Sequence, residues 1–529
     1  MALILRQVAR PLDEPEEDFL ARVARRLAAR GCPPRSLRPC RRSIDARPGR
    51  PLAFLYNLEI EVDDERRLRS RFRGVASAAP EPRDDKPQPG NTPLPGRVLV
   101  VGAGPAGLYA AYCLAVAGYR PLICEQGPAL ADRVAAVRRF FRRRVLDPEA
   151  NLLFGEGGAG TYSDGKLFTR VGRPGVSAWH RLLVRCGAQD DILVDAQPHI
   201  GTDRLRVVVP ELRARILAAG GEVRWRCRVD GLKVEAGRLV ALRAGGEWMP
   251  AGAVIWAPGQ HADETYDLVA GAGGIVDTRP YQIGVRIEHD QEAVDRWRYG
   301  ARAGHSALPA ASYRLTWHGR EKGFPGVTTF CMCPGGEVVP IAPCRGRLGT
   351  NGMSYSYRRR RFANSALITT LAAPAAAYRE VLAFRAGIEA RAFEAGGGDW
   401  SAPAQRAADF TAGTFSRALP GASSYRLGLR AAPLAELLPS PAGASIRAAL
   451  AHFDTLLRGF AAGDAVLIGV ESRVSSPLRV LRTATGESAG IAGLYPCGEG
   501  SGYASGITSS ALDGKRAADA VIARFAPPA

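Results

Sequence analysis

Residues 98–125 constrain the chain most. Val98-Leu99-Val100-Val101 is a β-branched apolar run with the length of one buried parallel strand. It leads into Gly102-Ala103-Gly104-Pro105-Ala106-Gly107, a G-x-G-x-x-G at a strand-to-helix turn, then a helical stretch over 108–117 closed by Gly118. The three glycines serve different ends. Gly102 permits the tight turn, Gly104 lets a pyrophosphate approach the backbone, and Gly107 lets helix and strand pack closely. The helix N-terminus offers N–H groups and a positive dipole end to that pyrophosphate. A second apolar strand, Pro121-Leu122-Ile123-Cys124, ends in Glu125, where a carboxylate would accept a ribose hydroxyl. An acid there disfavours a 2′-phosphate, so the stretch predicts a site for FAD or NAD over NADP. Among 60 glycines the motif alone is weak; strand, glycines, helix, strand and acid in this order give it weight.

The remainder bounds the class. A chain of 529 residues predicts two to four domains, and 46% hydrophobic with 23% charged residues is a globular composition. No apolar run approaches the roughly eighteen residues of a membrane span. The start is apolar for only a strand's length before the acidic run Asp13-Glu14-Pro15-Glu16-Glu17-Asp18, unlike a signal peptide, so a cytoplasmic location is expected. Ten cysteines are no disulfide scaffold at this length, and Cys331-Met332-Cys333 supplies too few ligands for zinc; no metal is expected. The net charge of +19 comes from arginines spread along the chain, with no basic segment interleaved with aromatics, so nucleic acid is not expected as a partner.

Residues 1–75 read as a small α/β accessory domain: a strand over 1–8, a helix over 16–29 with Phe19, Leu20, Val23 and Leu27 at helical spacing, and an alternating strand over 51–62. Residues 76–95, rich in Pro, Gly, Asp and Ala, read as a linker. The dinucleotide domain occupies 96–276. It continues through a basic helix over 129–144 to a loop over 151–167 with four glycines in six residues, Gly155, Gly157, Gly158 and Gly160. Such a backbone is open to a flat or charged ligand. A helix over 210–219, short strands over 222–228, 231–235 and 238–244, and a buried strand ending in Ala257-Pro258-Gly259 follow. Residues 277–476 change character: short strands over 279–288, 311–317, 326–333, 337–343 and 347–353, then a largely helical stretch over 363–394 interrupted at Pro374. This is a substrate or cap domain inserted before the return at 477–529, which ends in a helix over 507–525. The expected class is therefore α/β, a Rossmann-like domain with an inserted α+β domain and a small N-terminal α/β domain.

With these segments placed, the chain resembles the bacterial FAD-dependent dehydrogenases (NAD(P)/FAD-dependent oxidoreductases) within the two-dinucleotide-fold flavoproteins. The likeness covers almost the full length. It includes 42–47, Gly102–Gly107, 154–167, Gly284-Val285-Arg286-Ile287-Glu288-His289, Thr329-Phe330-Cys331-Met332-Cys333-Pro334-Gly335-Gly336, Thr350-Asn351-Gly352-Met353-Ser354, Ala363-Asn364-Ser365-Ala366 and 496–506. It implies FAD and oxidoreductase chemistry and no particular substrate. The cofactor-binding residues expected are Gly102, Ala103, Gly104, Pro105, Ala106, Gly107, Glu125, Gln126, Arg133, Gly157, Gly158, Ala159, Gly160, Asp164, Gly165, Lys166, Ala257, Gly259, Gly498, Glu499, Gly506 and Ile507. By this likeness Glu499 lies against the ribityl chain, and the helix from Ile507 aims its dipole at the pyrimidine end, where reduction places negative charge. Two departures stand out: Ala257-Pro258-Gly259 replaces Ala-Thr-Gly, and Gly259-Gln260-His261-Ala262 replaces Gly-His-Ser-Ala.

No catalytic residue is assigned. Lys166, Tyr162, His289, Tyr355 and Tyr503 are polar groups in or beside the glycine-rich segments that would orient a substrate, with a structural role favoured for each. Cys331 and Cys333 read as two reduced thiols, since cysteines two apart form strained disulfides. The leading reading is a dehydrogenase or reductase moving a hydride between flavin and a small molecule. The alternatives are an FAD-dependent monooxygenase and, from the charge, an RNA-acting flavoprotein. With one dinucleotide fingerprint, NAD(P)H has no Rossmann domain of its own, so as donor it would enter the substrate pocket or use another surface; otherwise the substrate or a redox partner protein supplies the electrons.

Overall fold

The computed structural model describes residues 3–47, 49–77, 87–169, 175–319 and 323–528. Its first unit is a four-stranded sheet in the order Ser36–Asp45, Ala53–Glu61, Leu3–Pro11, Val75–Ser77. Strand Ala53–Glu61 buries alternate residues, and helix Glu16–Ala29 lays Phe19, Val23 and Leu27 on that face. Helix Glu65–Arg71 starts under an Asp64 cap that accepts from the Arg67 N–H at 2.9 Å. The unit is fastened to the next by Arg42. Its N–H donates to Val194 O and its carbonyl accepts from Ala196 N, both at 2.8 Å, while its guanidinium reaches Asp195 at 2.8 Å.

Of the expected linker, 78–86 lies outside the described residues. Its later part runs beside the final helix: Gly90 N donates to Ile522 O at 2.9 Å, and Ala526 N to Thr92 O at 2.8 Å.

The second unit is built on parallel strands in the order Glu222–Arg224, Leu122–Cys124, Arg97–Val101, Glu247–Trp256, with Leu494–Pro496 paired to the end of the last. The long strand Glu247–Trp256 is shared. Its first half pairs antiparallel with Arg238–Ala244, which pairs with Val229–Glu235. Helices Pro105–Val116, Thr202–Ala218 and Ile507–Arg524 share the core on one face. Pro210 sits inside Thr202–Ala218 rather than at a helix start as expected.

The chain leaves this unit through Val276–Thr278 and returns through Leu478–Val480, and these two crossings pair antiparallel. Between them lies a seven-stranded sheet, in order Thr316–Trp317, Val327–Cys333, Phe362–Leu371, Tyr281–Asp290, Val466–Glu471, Ala402–Arg406, Leu429–Ala431. A hairpin, Gly336–Ile341 with Gly349–Ser354, and helices Tyr378–Ala395 and Ala442–Leu456 complete it. Two expectations are corrected here. Helix was expected from residue 363; Phe362–Leu371 is instead a central strand, and helix begins only at Tyr378. Its alanines favour helix locally, but both faces are buried and both edges are paired, to Tyr281–Asp290 and Val327–Cys333, and burial outweighs propensity. The strand expected over 311–317 shrinks to Thr316–Trp317. The architecture is α/β, a Rossmann-like domain interrupted by an α+β insertion and preceded by a small α/β unit. No helix among the described residues is long and apolar enough to cross a membrane.

Candidate active site

The glycine turn is fixed by close backbone contacts. Gly102 has φ +94°, and a Cβ there would lie 2.4 Å from Ala257 O. A Cβ on Gly107 would lie 1.9 Å from Gly102 O, so helix and strand touch through that position. Gly104 differs: a Cβ would find only Gly158 Cα, at 4.0 Å. The loop over 151–167 folds back onto this turn, Gly157 N donating to Ala103 O at 2.8 Å. A cleft of about 1620 Å³ opens beside both. Single small-molecule sites span about 300–1,000 Å³, so this cleft has room for a dinucleotide and a second molecule.

Most of the expected residues line it: Gly102, Gly104, Pro105, Ala106, Glu125, Gln126, Gly158, Ala159, Gly160, Asp164, Gly165, Lys166, Ala257, Gly259, Gly498, Glu499, Gly506 and Ile507. Ala103, Gly107, Gly157 and Arg133 stand behind the wall. Arg133 is fully buried and donates to the carbonyls of Asn151, Gly155, Glu156 and Gly158 at 2.7–3.2 Å, so it shapes the loop from beneath. Glu125 accepts from the N–H groups of Ala103 (2.7 Å), Gly127 (2.9 Å) and Gly155 (3.2 Å), which holds its carboxylate at the turn. Asp164 is buried and pairs with Lys166 at 2.8 Å and with Arg358; these cations hold its carboxyl well below the usual range despite burial. Of the other polar candidates, Lys166 and Tyr503 line the cleft. Tyr162 is buried between the Arg133 and Arg206 guanidiniums, at 4.9 and 5.0 Å from its ring. His289 is enclosed by aromatic rings and hydrogen-bonds to Phe460 O at 2.8 Å. Tyr355 stacks on Tyr357 away from the cleft.

The insertion contributes residues that sequence reasoning missed. Arg286, at the middle of strand Tyr281–Asp290, is fully buried, pairs with Glu471 at 3.0 Å and donates to Asn364 Oδ1 at 2.8 Å. Its signal was available: a cation inside the alternation Tyr281, Ile283, Val285, Ile287 needs a buried partner. Arg473, on the cleft wall, is held by Glu389 at 2.7 Å and Asp263 at 3.3 Å. Arg279 and Arg479 both donate to Gly502 O, at 3.1 and 3.3 Å, and no carboxylate of the described residues lies within ion-pair distance of either. Burial, then the neighbouring Arg479 charge, lower the proton affinity of Arg279.

Residues 280–474 match the family model described as FAD-dependent protein, C-terminal domain-like, and residues 100–159 match an NAD(P)-binding Rossmann-like domain. An uncharacterized protein of Clostridium beijerinckii is 37% identical over 493 residues, 92% of each chain. The chain belongs to the FAD-dependent oxidoreductase family. Among solved structures, the flavoprotein is similar to glycine oxidase from Bacillus cereus (11% identity, 82% of this chain and 98% of that one, TM-score 0.35). It is similar also to the glycerol-3-phosphate dehydrogenase from Bacillus halodurans complexed with FAD (11% identity, 80% and 64%, TM-score 0.35).

FAD is the cofactor, and the residues present fit it. Around Gly259 and Gly506 an added Cβ would meet nothing within 4 Å, and Gly104 is nearly as open, so three cleft glycines border space a ligand can fill. Helices Pro105–Val116 and Ile507–Arg524 bring both N-termini to this cleft, two dipole ends suited to negative charge. They are locked together: a Cβ on Gly514 would lie 2.0 Å from Ala106 O. Glu499 lies at the mouth of the second helix, accepting from Gln260 Nε2 at 3.1 Å.

Burial pushes the Glu499 carboxyl up from 4.5 to about 8, and burial pushes Glu471 up to about 7 against the opposing pull of Arg286. A carboxyl raised in the folded state binds its proton more tightly there than in the unfolded chain. Its stabilising contribution is complete below about pH 4.5 and is lost as pH rises through the folded value. In FAD-stripped flavoprotein, Glu499→Gln is therefore expected to flatten the fall in melting temperature between pH 5 and 8. Parallel wild-type and variant curves in thermal scans would contradict this.

Proposed function

We propose that the flavoprotein is a dehydrogenase or reductase that moves a hydride between FAD and a small anionic molecule held on the insertion side of the cleft. The observation that carries this reading is the single cleft itself: its wall passes without a break from the glycine turn to Tyr313, Thr329 and Phe330 of the insertion. When bound, FAD supplies a hydride acceptor and donor at its N5. The chain's own residues supply position and charge. The N-terminus of Ile507–Arg524 stabilises negative charge that develops at its mouth. Arg279 and Arg479, sharing a neutral carbonyl, are free to take a carboxylate or phosphate. Phe168 and Phe330, 53% and 38% exposed on the same wall, offer apolar surface to the remainder of the molecule. A nicotinamide nucleotide serving as donor enters from this side, because its phosphates suit the same two arginines.

The test is an anaerobic titration of the yellow protein with NADH, NADPH and a panel of small carboxylated and phosphorylated donors, followed by flavin bleaching. At least one anionic donor is expected to bleach it. Arg479→Ala should weaken that donor's apparent binding about ten- to a hundredfold, the range for losing a charge-assisted hydrogen bond. If dithionite bleaches the flavin and no anionic donor does, the reading fails.

A further inference from the structure

The function above leaves two thiols without a role. Cys331 and Cys333 end strand Val327–Cys333, whose pairing with Phe362–Leu371 slips between Phe330 and Cys333. Cys331 has φ +44°, a left-handed conformation uncommon outside glycine and concentrated at functional sites. The slip breaks the strand's alternation: Cys331 lines the cleft and Cys333 is fully buried behind it.

Two cations converge on this bulge. Arg286 Nη2 donates to Cys331 O at 2.8 Å and lies 3.9 Å from Cys333 Sγ. Lys166 Nζ donates to Met332 O. Cys333 Sγ in turn donates to Cys331 O at 3.2 Å. The acids nearby are Asp164 and Glu471, each paired to one of these cations, and Glu499 on the flavin-side loop. The neighbouring Cys333 side chain, then the Lys166 and Arg286 charges, lower the Cys331 thiol against the effect of burial, while burial raises Cys333. Charge on Cys331 also raises Glu499, so the sulfur is within electrostatic reach of the loop leading to Gly506 and its helix N-terminus. A thiolate at the cleft backed by a protonated thiol is the division of labour that thiol–disulfide exchange uses.

We propose that Cys331 and Cys333 form a two-electron dithiol–disulfide couple that exchanges electrons with the FAD. On oxidation of the pair, an S–S bond forms, the S–H bond of Cys333 breaks, and its proton and one electron pair pass to oxidised FAD. Cys331 thiolate, Cys333 thiol and FAD become a disulfide and FADH⁻, with one negative charge on each side. Reduced FAD returns the pair to the dithiol by the reverse step. A bridge between cysteines two apart is strained and hence easily reduced, which suits a couple that turns over and not a structural staple. The proposal rests on the FAD assignment and not on the anionic substrate, so the two fail separately.

The experiment uses the holoprotein. After aerobic oxidation and removal of the oxidant, wild type is expected to take up four electrons per FAD from dithionite, and Cys333→Ser two. Unfolded in denaturant, the oxidised protein should show two fewer reactive thiols than the ten of the reduced protein, with the peptide spanning Cys331 and Cys333 lighter by two hydrogens. The thiol count is made on wild type, so it stands even if a variant fails to fold. Uptake of two electrons by wild type with both cysteines alkylated in the oxidised protein would overturn the proposal. So would a disulfide formed by any other pair.

Discussion

Gly104→Val is expected to give a folded, colourless protein, and Gly107→Val a poorly folded one. Both positions belong to the same six-residue turn, and a loss of FAD at either one would not by itself separate cofactor from fold. The surroundings separate them. Gly104 has φ −80° and ψ −178°, an extended conformation that valine adopts readily, and its flank faces the cleft with no protein atom closer than Gly158 Cα at 4.0 Å. The new methyl groups occupy only the space where a pyrophosphate would approach. As glycine is itself a tolerable residue before a helix, the change costs apo-protein stability about 1 kcal/mol or less. At Gly107 a Cβ would sit 1.9 Å from Gly102 O and 3.3 Å from Val100 Cγ1, so the helix must move off its strand. Overpacking against backbone of this kind costs about 3 kcal/mol or more. Flavin absorbance, circular dichroism and urea unfolding of both variants against FAD-stripped wild type make the comparison. The stripped reference matters because bound cofactor stabilises by mass action, about 2.7 kcal/mol at a hundredfold excess over Kd. A yellow Gly104→Val protein with full FAD would move the pyrophosphate away from this turn.

Glu389→Ala is expected to cost about 3–5 kcal/mol in the first unfolding transition, the usual result of stranding a buried partner. Glu389, fully buried on helix Tyr378–Ala395, accepts from Arg473 at 2.7 and 3.0 Å and from Ser472 at 2.8 Å. Once it is removed, Asp263 alone serves three guanidiniums, those of Arg385, Arg473 at 3.3 Å and Arg347 at 3.6 Å. Asp263 lies between strand Glu247–Trp256 and helix Glu264–Gly271, so this network welds the insertion to the Rossmann-like unit. The Arg473 carbonyl also accepts from Gln260 Nε2 at 3.1 Å, which carries the disturbance to Glu499. Replacing both members, Glu389→Leu with Arg473→Met, is expected to recover much of the loss, since an apolar pair of similar volume leaves no orphaned charge. A cost under 1 kcal/mol for Glu389→Ala would show that the acid is dispensable to the weld.

The parts legible in the sequence were those governed by neighbours along the chain. Helix Glu16–Ala29 and strand Ala53–Glu61 follow directly from periodicity, and the turn at Gly102–Gly107 follows from residue types whose backbone freedom has a local cause. What stayed hidden depends on partners far away. Phe362–Leu371 reads as helix until the two strands flanking it are known. Arg133 is among the expected cofactor-binding residues, yet the carbonyls it holds belong to a loop about twenty residues on. Arg279 and Arg479 are two hundred residues apart and meet only because strands Val276–Thr278 and Leu478–Val480 pair. Within the site, the glycines were readable and the charged wall opposite them was not, since no local pattern reports which of the many arginines lack an acid.

That pairing of distant crossings has a consequence for how the protein is made. The first parallel strands emerge from the ribosome early, but the strand edge at Val254–Trp256 waits for Leu494–Pro496, and the bare flank of Pro105–Val116 waits for Ile507–Arg524. Translation at about 5–20 residues per second puts some tens of seconds between them. Through that interval the nascent Rossmann layer shows an open edge and an uncovered apolar face, the surfaces that chaperones bind and that aggregate when unattended. Cofactor loading would then be a late event in the life of each chain, and the supply of free FAD at that moment would set how much of the synthesised protein is rescued as holoenzyme.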